Sequence, residues 1–328
     1  MKSNRTSETL DEIIHNALNK QVEAWTSQGI SASEISERID NINVTEMAGE
    51  LVHTVSGDYL EFYKSHMDEI ERDEMKEEEE FVRRQIQKWG KCFVASRTMY
   101  VIAVEAAESY SEVISKKDIS EMSGKEYTYA SFQHIHGRAC QEFLEIYHLL
   151  RLGFADGAYA RWRSMYELCC YGQFIVTYGE QIAKQYYEQS DTENRSFDWT
   201  NGALSTDGRK LRIVNFDKLQ DSINVDQTWK EQYRLACLVN HGSPQGTFKR
   251  LANYGKKRII PVGHSDYGIA MPAVNSAVTL AWMSNLFLGI IPTYESLAKI
   301  QLLNDWATML RTLYIETEGC LFPDSNKE

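Results

Sequence analysis

Between residues 8 and 28 the apolar positions Leu10, Ile13, Ile14, Ala17, Leu18, Val22 and Trp25 recur three and four apart, the spacing that lines one face of an α-helix. The pattern predicts an amphipathic arm suited to a partner chain. From about Thr45 to Ser115 helical spacing continues, as two helices joined or as one, through "DEIERDEMKEEEEFVRRQ". There charge surrounds the axis, with Ile70, Met75 and Phe81 among the few interruptions, so this stretch reads as a solvated helix held by charge pairs three and four apart. After Lys88 the apolar positions Val94, Val101, Ile102, Val104 and Ala106 mark a return to a core.

"YTYASFQHIHGRACQEFLEIYHLLRLGFADGAYARWRSMYELCCYGQFIVTY" supports two long helices that meet near Gly153 to Gly157. Apolar content drops between Glu180 and Thr206, and "EQSDTENRSFDWTNGALSTDGRK", residues 188–210, reads as a loop with short helices on both sides. A helix over residues 227–240, a turn at "HGSP", an irregular basic stretch and two final helices complete the chain. All five prolines lie at or beyond Pro244, so nothing breaks helices over the first three quarters. The one strand-like scrap is "RIIPV". The expected fold is all-α, a helical bundle over residues 121–328 behind a helical arm and long charged helix over residues 1–120.

Residues 267–294 carry no charge and are long enough to span a bilayer. Asn275, Ser276, Thr279, Ser284 and Asn285 interrupt the segment, however, and no basic cluster flanks it, so a buried core helix is expected and no membrane partner. Six scattered cysteines without C-x-x-C spacing, and an N-terminus without the apolar run of a signal peptide, point to the cytoplasm.

Composition narrows the chemistry. With 43% hydrophobic residues the 328-residue chain can build a large core, and a net charge of -12 argues against a surface that binds nucleic acid everywhere. Phosphate-loop, dinucleotide, zinc-protease and nucleophile-elbow motifs are missing, and no cofactor or metal is expected. His134 and His136, two apart, diverge on a helix and read as a surface pair rather than metal ligands.

Two charged constellations remain. In "ARWRSMYELCC", Arg163 and Glu167 stand one helical turn apart among apolar neighbours, a pair that fixes packing or builds a site. In "YRLACLVNHGSPQGTFKRL", Arg234 and His241 lie nearly two turns apart, with the histidine at the helix end. An arginine grips phosphate oxygens and a histidine moves protons near neutrality, the equipment of metal-independent RNA cleavage. Asn240 and Ser243 would supply hydrogen bonds, and Lys249, Arg250, Lys256, Lys257 and Arg258 would track an RNA backbone.

R-x(4 to 6)-H near a helix end in an all-α chain resembles the HEPN superfamily of bundle ribonucleases. "RWRSMYE" followed by "YRLACLVNHGSP" is similar to an uncharacterised bacterial family grouped near it, whose features fall on Arg163, Glu167, Tyr233, His241 and Ser243. The resemblance covers roughly residues 125–318. It implies a ribonuclease of a toxin–antitoxin or phage-defence system, a homodimer with a composite cleft, His241 as acid/base and Arg234 as phosphate ligand. Such motifs commonly carry a polar residue after the arginine, where Leu235 stands here, so Arg163 is a rival for that role. The competing expectation is a non-catalytic helical module that recognises a partner protein through the arm or acidic helix.

Overall fold

The computed structural model describes residues 10–41, 44–117, 122–252 and 262–323, with the side chains of residues 10–14, 17 and 44–47 left aside. Eleven α-helices run through them: α1 (Leu10–Ser27), α2 (Ala32–Asp40), α3 (Val44–Ser115), α4 (Glu126–Arg151), α5 (Ala155–Tyr178), α6 (Glu180–Gln189), α7 (Phe216–Ser222), α8 (Gln227–Asn240), α9 (Pro244–Phe248), α10 (Ala270–Leu288) and α11 (Tyr294–Leu321). Among the described residues there is no strand, only an isolated antiparallel bridge between Leu204 and Lys210. The expected all-α bundle is what forms. "RIIPV" falls, except for Val262, outside the described residues.

The chain divides into two compact units, residues 1–76 and 77–328. The sequence reading places a boundary near residue 120, whereas packing places it inside α3. The reason is that residues 77–115 are already core: Trp89, Cys92, Phe93, Met99 and Tyr110 are buried. Trp89 lies 5.8 Å from the Tyr314 ring, and Ser96 Oγ is 2.9 Å from the Tyr314 hydroxyl. Within the first unit α1 and α2 form a hairpin, closed by Gly29 at φ 78° and capped by Ser31. Arg38 lies over the Trp25 ring there, and Ile35 is buried.

α10 organises the second unit. Packed against α4, α5 and α11, it buries twelve of its nineteen residues, as a core helix should, and no helix among the described residues is long and apolar enough to cross a membrane. Every polar side chain that interrupts its sequence has a protein partner. Thr279 accepts a hydrogen bond from Trp162 Nε1 at 2.9 Å, Ser284 lies 3.0 Å from His136 Nε2, and Ser276 donates to the Ala273 carbonyl. Asn275 donates to Gln232 and Asn285 to Asn304.

α4 and α5 form an antiparallel hairpin. Gly153 closes it at φ 74°, where a side chain would also strike the Phe81 ring. No side chain of its own caps α4; instead Glu180, at the start of α6, accepts Tyr127 N at 2.6 Å, Thr128 N at 3.0 Å and Thr128 Oγ1 at 2.6 Å. A carboxylate there also meets the positive end of the helix dipole. α6 is thus one of the short helices expected beside the loop. The loop proper is held by Gln189, whose amide donates to the carbonyls of Asn194 and Ser196 and accepts Trp199 N.

His136 corrects the surface-pair expectation. His134 is exposed, but His136 is 3% exposed, packed against Phe287 and Cys140, because α10 covers the face of α4 on which it lies. Burial pushes its pKa from 6.5 down to about 4.

Two outcomes follow. Glu180→Ala leaves the α4 N-terminus uncapped and should cost about 1–2 kcal/mol, read as a lower denaturant midpoint at unchanged m-value. Between pH 6.5 and about 4 the unfolded chain protonates position 136 while the folded chain does not. Stability therefore falls as pH drops through that window, by up to about 3 kcal/mol from this group. In His136→Gln, thermal unfolding followed against pH should lose that part of the slope.

Candidate functional site

The polar cluster with the most chemistry forms where α8 lies antiparallel on α5. Asp226 begins α8 by accepting Thr228 N, and Trp229, Tyr233 and Ala236 face inward at helical spacing against Tyr166 and its neighbours. Gln232 accepts the Tyr159 hydroxyl at 2.6 Å. These contacts set Tyr233 and Cys237, one turn apart, opposite Glu167 and Arg163 of α5.

The cluster is tightly bonded. Tyr233 donates its hydroxyl to Glu167 Oε1 at 2.7 Å, Arg163 Nε lies 3.6 Å from the same oxygen, and Arg163 Nη1 is 3.9 Å from Cys237 Sγ. At 3.6 Å the Arg163–Glu167 contact is an ion pair rather than a hydrogen bond. The two side chains are 24% and 25% exposed, so water still reaches the pair and softens it. Desolvation pulls the guanidinium pKa down, but Glu167 and Cys237 outweigh it and raise it. Burial, then the adjacent Glu167 carboxylate, push the Tyr233 hydroxyl upward, which keeps it a proton donor.

His241 stands at the end of α8 with extended backbone, φ -97° and ψ 138°, its N–H closing the helix on Cys237 O at 3.2 Å. It is exposed, and so is Arg234. Arg234, Leu238 and His241 share the solvent edge of α8, beside the face that carries Tyr233 and Cys237. Arg163 and Glu167 are therefore brought together, and His241 lies one turn beyond the Cys237 that Arg163 touches. Among the described residues no hydrogen bond or ion pair joins His241 to Arg163, Arg234 or Glu167.

The remaining predicted site residues are dispersed. Asn240 is the exposed last residue of α8, and Ser243 caps α9, its hydroxyl accepting Gly246 N at 3.1 Å. Pro244 follows at the first helical position, and Gly246 sits so close beneath α8 that a β-carbon would collide with the carbonyls of Leu238 and His241. Lys249 is exposed. Arg250 is engaged, its Nε 3.0 Å from Asp156, which also accepts Leu251 N at 2.7 Å. That staple ties the segment after α9 to the first turn of α5. Lys256, Lys257 and Arg258 lie outside the described residues.

Sequence reasoning missed Cys237 and Glu142. Glu142 is fully buried, its Oε1 accepting Arg138 Nε at 3.0 Å and lying 3.6 Å from Arg161, while Oε2 has no partner. Burial raises its carboxyl pKa against the opposing pull of both arginines. The signal was an acid at helical spacing with the apolar residues Ile135, Ala139 and Ile146, one turn after an arginine. Among the described residues no group of three metal-ligating side chains converges.

Fold and site define an all-α bundle protein with an arginine–glutamate–tyrosine cluster at a helix crossing. Residues 129–214 match a family of unknown function (DUF5677). No curated protein matches the chain, and no solved structure does. The matched segment contains Arg163, Glu167 and Glu142, and ends before Tyr233, Arg234 and His241.

Tyr233→Phe removes a charge-assisted hydrogen bond between α8 and α5 while keeping the ring. It should lower stability by about 1–2 kcal/mol in chemical denaturation. An unchanged midpoint would mean that the bond does not hold α8 in place.

Proposed function

We propose that the chain is a HEPN-like bundle protein, acting in the cytoplasm as a metal-independent endoribonuclease of a bacterial toxin–antitoxin or phage-defence system. The observation that carries this reading is the position of His241: exposed at the end of α8, on one edge with Arg234, and one turn from the cysteine that the Arg163 guanidinium touches. In the proposed reaction an RNA 2'-hydroxyl attacks the adjacent phosphorus and the bond to the 5'-oxygen breaks. A proton leaves the attacking hydroxyl and another reaches the departing oxygen, and an imidazole on solvent can carry such protons.

Arg234 or Arg163 would hold the charge that builds on the phosphorane oxygens, with Glu167 fixing the direction of Arg163. Asn240, Ser243 and Lys249, with Lys256, Lys257 and Arg258, are the proposed RNA contacts, and a homodimer would join two such edges into one cleft. The acidic balance of the chain confines RNA to these cations.

A second reading, a non-catalytic protein-interaction module, is favoured by the engagement of Glu167 with both Tyr233 and Arg163, which braces α8 on α5 without any substrate.

His241→Ala should reduce cleavage of total RNA by roughly 100-fold or more, as loss of a general acid/base does, with unfolding temperature and helical content unchanged. Equal cleavage by the folded variant removes the mechanism. RNA left intact by the unaltered protein, together with co-purification of a partner, decides for the second reading.

A further inference from the structure

Glu142 is a buried acid that neither functional reading uses. Its Oε1 accepts Arg138 Nε at 3.0 Å, while the two Nη groups of that guanidinium have no acceptor among the described residues. A carboxylate sunk in a bundle is costly, and here it fixes one edge of an arginine whose other edge is open.

Arg138 lines a cleft. α4 presents Ser131, Ile135 and Arg138 at spacings of four and three, one face of the helix, and α6 packs against α4 with Tyr186 in its last turn and Asp191 just beyond it. Leu168 of α5 and Ile135, 9% and 3% exposed, form the apolar floor of a cavity of about 330 Å³. Ser131 is also 3% exposed, and its hydroxyl has no hydrogen-bond partner among the described residues. Buried hydroxyls are seldom left so, which makes this one a receptor for whatever fills the cleft. The whole lining lies within the family match over residues 129–214, whereas Tyr233, Arg234 and His241 lie outside it.

The lining selects the ligand. Two Nη–H groups side by side match the two oxygens of a carboxylate or phosphate. Asp191 stands in the same cleft without an ion pair among the described residues, and its charge opposes a dianionic phosphate about twice as strongly as a carboxylate. Burial pushes the Tyr186 hydroxyl pKa up and the Arg138 charge pulls it back, so guanidinium and ring share the site. A cavity at the low end of the roughly 300–1,000 Å³ range of ligand sites holds a single ring on that floor, not a nucleotide. Seven residues of helix rise about 10 Å, so Ser131 meets the far end of a ring whose carboxylate is held by Arg138. We propose that the cleft between α4 and α6 binds a small aromatic carboxylate, its acid group on Arg138 and a polar substituent at the opposite end of the ring on Ser131.

Ligand-observed NMR titration of the full chain tests this with benzoate, para-hydroxybenzoate, phenyl phosphate and benzyl alcohol. Para-hydroxybenzoate should saturate with a dissociation constant on the order of 100 μM, the strength of a ligand of about ten heavy atoms in a formed site, and benzoate should bind about 3- to 10-fold more weakly. Phenyl phosphate should bind more weakly than benzoate, and benzyl alcohol not at all. Arg138→Lys keeps the charge and loses the fork, and should weaken both carboxylates at least about 10-fold, with thermal unfolding as the check on folding. Ser131→Ala should abolish the preference for para-hydroxybenzoate over benzoate without lowering the unfolding temperature, because the hydroxyl it removes bonds to nothing in the protein alone. No saturable binding at about 10 mM, phenyl phosphate as the tightest of the four, or carboxylates bound by folded Arg138→Lys as tightly as by the unaltered chain would each overturn the proposal. So would a preference that survives in Ser131→Ala. None of these readouts depends on RNA cleavage or on α8, so the outcome is separate from that of the nuclease reading.

Discussion

The second unit depends on one constraint: an uncharged helix, α10, lies inside a bundle and brings five polar side chains with it. A hydroxyl or amide taken from water without a partner costs more than most single contacts return. The neighbours must therefore present acceptors and donors at matching heights. Trp162 on α5, His136 on α4, Gln232 on α8 and Asn304 on α11 do so, one from each surrounding helix. Apolar packing alone would tolerate rotation or sliding of α10; these four bonds set its rotation and its height. They also set α5, and through α5 the face against which α8 docks.

The cluster at the α5–α8 crossing inherits its geometry from this arrangement. Glu167 and Arg163 face α8 because Trp162 and Tyr166, on the adjoining face of α5, are turned toward the core. Tyr233 reaches Glu167 because Trp229 and Ala236 are drawn inward by the same burial. His241 is then carried past the end of the packed face into solvent. The inner and outer edges of α8 thus differ in kind: one holds bonded polar groups in place, and the other offers ionisable groups to whatever approaches.

Local patterns were legible in the sequence and distant partnerships were not. The apolar spacing of residues 227–240 and of the two helices meeting near Gly153 described α8, α4 and α5 well, because each has a covered face that repeats with the helix. The polar residues of α10 correctly argued against a membrane span. His136 was misread as a surface group because its cover, α10, comes from 148 residues further along the chain. The Arg163–Glu167 pair was visible as a one-turn spacing, whereas its third member depends on Tyr233, 66 residues away from Glu167. Continuity of α3 was left open by a charged stretch without an apolar face, which signals neither a break nor its absence.

Glu180 has a consequence for how this chain can vary in length. It leaves α5 after a single glycine and returns to the first turn of α4, so the two helices of the hairpin must agree in residue count for the carboxylate to arrive. One residue inserted into α5 would swing that carboxylate about 100° around the axis and strand the amides it covers. Additions at the turn that Ser205 closes by donating its N–H to the Arg209 carbonyl at 2.8 Å would meet no such arithmetic. Divergent copies of this chain should accordingly keep the hairpin to a fixed count and let the segment beyond Gln189 grow or shrink.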